Sequence, residues 1–157
     1  MGLLGKAFTD LFFNYILVSA VISWFLAQML KFIITYVTTG KSVPERLVGS
    51  GGMPSSHTAL VCSATIAAAK CEGTASPIFA VCFILACVVM YDAMNVRRQA
   101  GEHAKVINRM INDKESGKEG GFDDVTLKEK LGHTPLEVLG GALLGIIVAM
   151  FIGVIVY

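Results

Sequence analysis

Apolar positions along this chain gather into four runs separated by polar punctuation. The first extends from Leu11 to Val37, and as a helix it would be about 40 Å long, beyond the roughly 30 Å hydrocarbon core of a bilayer. Six polar residues interrupt it: Asn14, Ser19, Ser23, Gln28, Lys31 and Thr35. Asn14, Gln28 and Thr35 recur at multiples of seven on one helical face, and Lys31 lies one turn from both Gln28 and Thr35. Such a stripe is expected to face protein or a water-filled site, not lipid.

The second run, Ser55 to Ala69, is rich in Ala, Ser and Thr and shorter than the roughly 20 residues of a full span. It predicts a short or re-entrant helix packed within protein. The third, Ala75 to Tyr91, is almost unbroken Val, Ile, Phe, Cys and Ala and stops at Asp92. The fourth, Leu136 to Tyr157, carries one charge, Glu137. Gly141, Gly145, Ala149 and Gly153 recur along it every four residues, a face that permits close helix contact either within the chain or across a homodimer seam. Between the third and fourth runs, Val96, Ala100, Ala104, Ile107 and Ile111 keep helical spacing, so an amphipathic helix is expected to continue from the third span. Residues 112–124 read as a loop, and Thr126 with Glu129 as a capping box opening a further turn or two over Val125–Gly132. The pattern predicts an all-α polytopic membrane bundle of about four spans plus a cytoplasmic amphipathic helix.

Composition agrees with that reading. The 157 residues are 54% hydrophobic and 16% charged, with mean hydropathy +0.65, against about 25% charged for a soluble domain. A net charge of +1 leaves no nucleic-acid footprint. Cys62, Cys71, Cys82 and Cys87 form no C-x-x-C pair and read as small apolar residues. With four spans, the loops after the first and third share one side and hold ten Lys and Arg, against Lys6 and Lys70 on the other. The positive-inside rule puts those loops in the cytoplasm and both termini outside.

Two polar stretches carry candidate chemistry. In Gly51-Gly52-Met53-Pro54-Ser55-Ser56-His57, glycines and a proline lead into a helix opening on two serines and a histidine. Backbone N–H groups at a helix start with hydroxyls beside them suit an anion, and a histidine one turn in can protonate its oxygen. The structural alternative makes Ser55 an N-cap and His57 an interfacial polar residue. In Gly132-His133-Thr134-Pro135-Leu136-Glu137, Thr134 is a natural N-cap, Pro135 the first helical residue and Glu137 the capping-box acid. Glu137, four residues after His133, is equally placed to hold that imidazole in one tautomer. His103 falls on the apolar face of the amphipathic helix and reads as structural.

GGMPSSHTA (Gly51 to Ala59), HTPLEVLGG (His133 to Gly141) and YDAMNVRRQAG (Tyr91 to Gly101) resemble the divergent branch of the type-2 phosphatidic acid phosphatase superfamily, relatives of acid phosphatases and vanadium haloperoxidases. GGMPSSHTA is similar to the Pro-Ser-Gly-His motif, with Ser56 for glycine. HTPLEVLGG is similar to His-x-x-x-Asp-Val-x-x-Gly, with Glu137 for aspartate. The resemblance covers nearly all of residues 1–157, as a single membrane-embedded lipid phosphatase-like domain. It implies His133 as nucleophile, Glu137 as its orienting group, His57 as the acid for the leaving alcohol, and Ser55 and Ser56 as phosphate ligands. No cofactor or metal is implied. The superfamily's arginine before the nucleophile is missing, with Lys128 and Lys130 the nearest cations, and its Lys-x6-Arg-Pro motif has no match at Lys41 and Arg46. Phosphoryl transfer needs cations on the equatorial oxygens, for which Arg97 and Arg98 come first and Lys31 second. Asp92 either anchors one of these or caps the span, and snorkelling is the alternative for Lys31.

The expected activity is a cell-membrane lipid phosphomonoesterase with a phosphohistidine intermediate and a cytoplasm-facing site. Phosphatidylglycerophosphate is the substrate the resemblance suggests. The alternatives are a polyprenyl (di)phosphate phosphatase, a metal-dependent lipid phosphotransferase using Asp92, Glu102 and the histidines, and a non-enzymatic lipid-binding or transport protein.

Overall fold

The computed structural model describes residues 3–41, 51–115, 126–129 and 131–152, and every regular element among them is a helix. In chain order these are α1 (Leu3–Phe12), α2 (Tyr15–Thr39), α3 (Ser56–Glu72), α4 (Pro77–Met94), α5 (Val96–Glu115) and α6 (Pro135–Ile152). Three stretches are long and apolar enough to cross a membrane: Tyr15–Thr39, Pro77–Ile111 and Pro135–Ile152. The bundle is therefore all-α, as the apolar runs predict.

The first run divides where the pattern gives no warning. Asn14 Oδ1 accepts the Leu17 N–H at 3.0 Å, which makes Asn14 the N-cap of α2 and ends α1 just before it. Asn14 is exposed and leaves the expected stripe, whereas Ser19, Ser23, Gln28 and Lys31 are buried and face protein.

The second run is α3, a 17-residue helix at the centre of the bundle with α2, α4 and α6 packed around it. Its small residues explain the position. Ala59, Ala67 and Ala68 are fully enclosed, and with so little side-chain bulk the neighbouring backbones come close. Ser23 Oγ donates to the Ala59 carbonyl at 3.0 Å, and Lys31 Nζ reaches Ser56 Oγ at 3.4 Å, so α2 and α3 are antiparallel. Gly141 sits against Ser55 and Gly145 against Ala59, so α6 runs parallel to α3. The small-residue face is thus filled from within the chain at Gly141, Gly145 and the fully buried Ala149. At these three residues the face is occupied within the chain, and Gly153 lies outside the described residues.

The far end of the bundle is closed by a polar clasp. Tyr15 Oη donates to the Ala149 carbonyl, and Lys70 Nζ donates to the Ala149 and Met150 carbonyls at 3.1 Å each while lying 5.6 Å over the Tyr15 ring. Lys70 thereby ties the end of α3 to two carbonyls of α6.

Residues 126–129 are not helical, contrary to the capping-box expectation. Asn108 binds this stretch of chain instead: its Nδ2 donates to the Leu127 carbonyl and to Glu129 Oε1, and its Oδ1 accepts the Leu127 N–H at 3.0 Å. With Glu129 so engaged, it does not fold back on Thr126. Of the expected 112–124 loop, residues 112–115 instead continue α5, and the rest lies outside the described residues. All four cysteines are free thiols, and only Cys62 is buried.

Candidate functional site

Each of the two histidine stretches ends at a helix start, and the fold brings those starts together. The Ser55 N–H donates to the Glu137 carbonyl at 2.9 Å, joining the mouth of α3 to the first turn of α6. Ser55 caps α3, its Oγ accepting from the Thr58 N–H at 3.4 Å and the Thr58 hydroxyl at 3.0 Å. The Met53–Pro54 peptide leading into it is cis. Met53 Cε and Pro54 lie beside Gly140.

His133 is 4% exposed and is held from two sides. Its backbone N–H donates to the Ala93 carbonyl at the end of α4, 2.9 Å away, and its Nδ1 lies 3.2 Å from Glu137 Oε2. The same Oε2 accepts the Thr134 N–H at 2.9 Å, and the Glu137 N–H donates to Thr134 Oγ1 at 3.3 Å. Capping and imidazole orientation are therefore not rival roles for Glu137, since one oxygen serves both. Burial holds the His133 imidazole below its ordinary pKa, with Glu137 pulling the other way and the Lys31 and Arg97 charges adding to the depression.

Gly132 explains how this loop fits. Its φ of +80° suits glycine, and a Cβ there would overlap the Arg98 backbone nitrogen, so the chain passes directly over the start of α5.

A cavity of about 210 Å³ opens on one side of His133, lined also by His57, Val88, Val89, Asp92 and Arg97. His57 is exposed to it from the first turn of α3. Arg97 Nε lies 2.6 Å from Asp92 Oδ2, so Asp92 anchors the guanidinium while the two Nη groups stay available. Arg98, expected beside Arg97, lines a separate groove of about 500 Å³ on the other flank of His133, with Glu102, Lys105 and Glu129. One residue of helix turns the two arginines apart by roughly 100°.

Lys31 does not snorkel. It is 1% exposed, its Nζ donating to Gln28 Oε1 at 2.8 Å and lying within reach of Ser56 Oγ. Gln28 is the partner that sequence reasoning left without a role, although its i, i+3 spacing to Lys31 was visible. Of the substitutes for the missing arginine, Lys128 is exposed on the 126–129 stretch, and Lys130 and Arg46 lie outside the described residues. Among the described residues, no group of three or more His, Cys, Asp or Glu is placed to hold a metal ion; His57, His133 and Asp92 line one cavity, while Glu102 lines the groove on the other flank of His133.

The model of the Divergent PAP2 family matches residues 12–148. Over 153 residues, 90% of this chain and 95% of that protein, the chain is 37% identical to Uncharacterized membrane protein YuiD of Bacillus subtilis (strain 168). No solved structure matches it.

Proposed function

The chain belongs to the divergent PAP2 family, and from that premise we propose that it is a lipid phosphate phosphatase working through a phosphohistidine. The observation that carries the reading is the buried His133, its Nδ1 fixed by Glu137, beside a cavity that also holds His57 and Arg97.

Glu137 accepts a hydrogen bond from Nδ1–H, which stays on the ring and leaves Nε2 as the attacking nitrogen. Nε2 forms the N–P bond as the P–O bond to the lipid alcohol breaks. His57, protonated, gives its proton to the departing oxygen. Water then attacks phosphorus, neutral His57 takes a water proton, and the N–P bond breaks to release inorganic phosphate. Arg97 and Lys31 carry the equatorial charge, with Asp92 and Gln28 holding them in place and Ser56 adding a hydroxyl. Ser55 contributes through the helix start it caps. Arg98 belongs to the groove and meets polar parts of the substrate away from the reacting phosphate.

The purified protein is expected to release phosphate from a lipid phosphomonoester in excess EDTA and to be inhibited by vanadate, which copies a trigonal-bipyramidal transition state. An absolute requirement for Mg²⁺ or Mn²⁺ would overturn the mechanism. Phosphatidylglycerophosphate is the substrate we favour, because a site on the cytoplasmic leaflet meets lipids made there. Assayed beside phosphatidic acid and polyprenyl diphosphate in one detergent, it should turn over fastest; equal or faster polyprenyl diphosphate hydrolysis would favour the second substrate class.

Asp92→Asn tests the anchoring of Arg97. With Nε no longer held by a carboxylate, KM is expected to rise about tenfold, the loss of one charge-assisted hydrogen bond of about 1.5 kcal/mol. Unchanged KM and kcat would remove Asp92 and Arg97 from the site.

We assign the site to the cytoplasmic side of the cell membrane on the ten-to-two distribution of Lys and Arg. The alternation of α2, α3, α4 and α6 supports it by bringing the connections 40–55 and 95–134 to one end. A reporter inserted near Gly117 is expected to behave as cytoplasmic, and one fused after Tyr157 as external. Accessibility of the Gly117 reporter from outside intact cells would reverse the assignment.

A further inference from the structure

α5 has three faces, and only two are accounted for by the chain and by water. The first packs inward. Ala104 and Gly101 are buried, a Cβ on Gly101 would stand 2.6 Å from the Glu129 carbonyl, and Asn108 is bonded to Leu127 and Glu129. The second is basic: Arg98, Lys105 and Arg109 fall on one stripe at spacings of seven and four, with Lys105 also paired to Glu102 at 2.8 Å. The third is apolar and bare. Val96, Val106, Ile107 and Met110 are 61, 49, 43 and 60% exposed, and Ala100 and His103 lie among them.

We propose that this third face of α5 is seated in the acyl–headgroup boundary of the lipid leaflet, with the basic stripe meeting anionic headgroups. Two features select a lipid surface as the occupant. The helix is continuous with a membrane span, separated from α4 by Asn95 alone, so its apolar face begins at lipid. A large apolar stripe on a helix that also carries a face of Lys and Arg is the pattern of helices that lie in an interface, where basic residues are drawn to an anionic surface. Since Gly132 rests on the backbone of Arg98 and Gly101 on the backbone of Glu129 and Leu131, the seat of α5 also fixes the stretch that delivers His133. The inference concerns where α5 lies and holds whether or not the protein is a phosphatase.

Fluorescence quenching of the full chain in vesicles tests it. Trp24 is the single tryptophan and is replaced by Phe to clear the background. Met110→Trp is then expected to be quenched by brominated acyl chains and shielded from aqueous iodide, whereas Arg109→Trp shows the reverse. Adding phosphatidylglycerol to phosphatidylcholine vesicles should shift the Met110→Trp emission further to the blue, and Lys105→Gln with Arg109→Gln should abolish that further shift. Equal iodide quenching at 109 and 110 would put the face in water. Protection of Met110→Trp from both quenchers would put it against protein, either a second copy or another part of this chain. Either result overturns the proposal, and an emission indifferent to phosphatidylglycerol overturns its electrostatic part. Should the tryptophan variants not fold, the unaltered chain is irradiated in vesicles carrying a photoactivatable acyl chain. Adducts on Val106, Ile107 or Met110 are expected, and their absence alongside adducts on α4 refutes the lipid seat.

Discussion

Replacing His133 with alanine is expected to reduce phosphate release from a lipid phosphomonoester to background while leaving the bundle folded. His133 is joined to the rest of the protein through its backbone N–H to Ala93 and its ring to Glu137. Alanine keeps the first and deletes the second, and Glu137 Oε2 retains the Thr134 N–H. The loss is thus of chemistry and not of structure. His57→Ala should retain more, falling by roughly 10²–10⁴-fold, the usual contribution of a general acid. The pH profile gives an independent check. A nucleophile must be neutral, and burial holds His133 below its ordinary value of about 6.5, so the acid limb of kcat/KM should lie below that pH. Glu137 opposes the depression, so Glu137→Gln, which keeps an acceptor but removes the charge, should move the limb further towards acid. A limb that stays in place in Glu137→Gln would assign the titration to another group. Full activity in His133→Ala would dispose of the phosphohistidine.

The largest structural effect is expected at Gly141 and Gly145. A Cβ at Gly141 would overlap the Ser55 carbonyl oxygen and meet Thr58 Cβ at 3.0 Å. At Gly145 it would overlap the Ala59 carbonyl oxygen and approach the Ser63 nitrogen at 3.0 Å. The obstructing atoms are helix backbone, which cannot rotate aside as a side chain could. Alanine at either position should cost about 1–3 kcal/mol by forcing α3 and α6 apart, and valine at Gly145 more. Thermal unfolding in detergent measures this. Gly141→Ala has a further consequence, because Ser55 also bonds the Glu137 carbonyl, so separation there pulls the two histidine-bearing helix starts apart. An unchanged melting temperature in both variants would mean that the two helices do not touch along this face.

How much of this was legible in the sequence depends on what each residue reports. Hydropathy alone marks α2, α4 and α6, because a span must be apolar along its whole length. His133 and Glu137 are legible as a pair because a four-residue step fixes their separation whatever surrounds them. Asn14 is not, since an asparagine inside an apolar run has the same spacing whether it caps a helix or lines one. The placing of Arg97 and Arg98 on opposite flanks of His133 comes from the phase of α5 relative to the loop above it, which Gly101 and Gly132 set through contacts about 30 residues apart along the chain. The burial of Lys31 belongs to the same class. Snorkelling and burial are indistinguishable until α3 supplies Ser56.

The shortness of α3 reaches beyond the protein. It begins beside Lys31, eight residues before α2 ends, which at 1.5 Å per residue is about 12 Å inside the end of that span. The start of α3 is therefore recessed below the end of α2, on the side of the histidines. Under the proposed function, a lipid phosphate bound there would sit below the plane of its neighbours and draw its own chains towards the far leaflet. The depth of that descent is set against the thickness of the membrane, so bilayers of short-chain lipids ease it and thick ones resist it. On the proposed function, the bilayer would thus take part in selecting the substrate as a mechanical medium, before any side chain touches the phosphate.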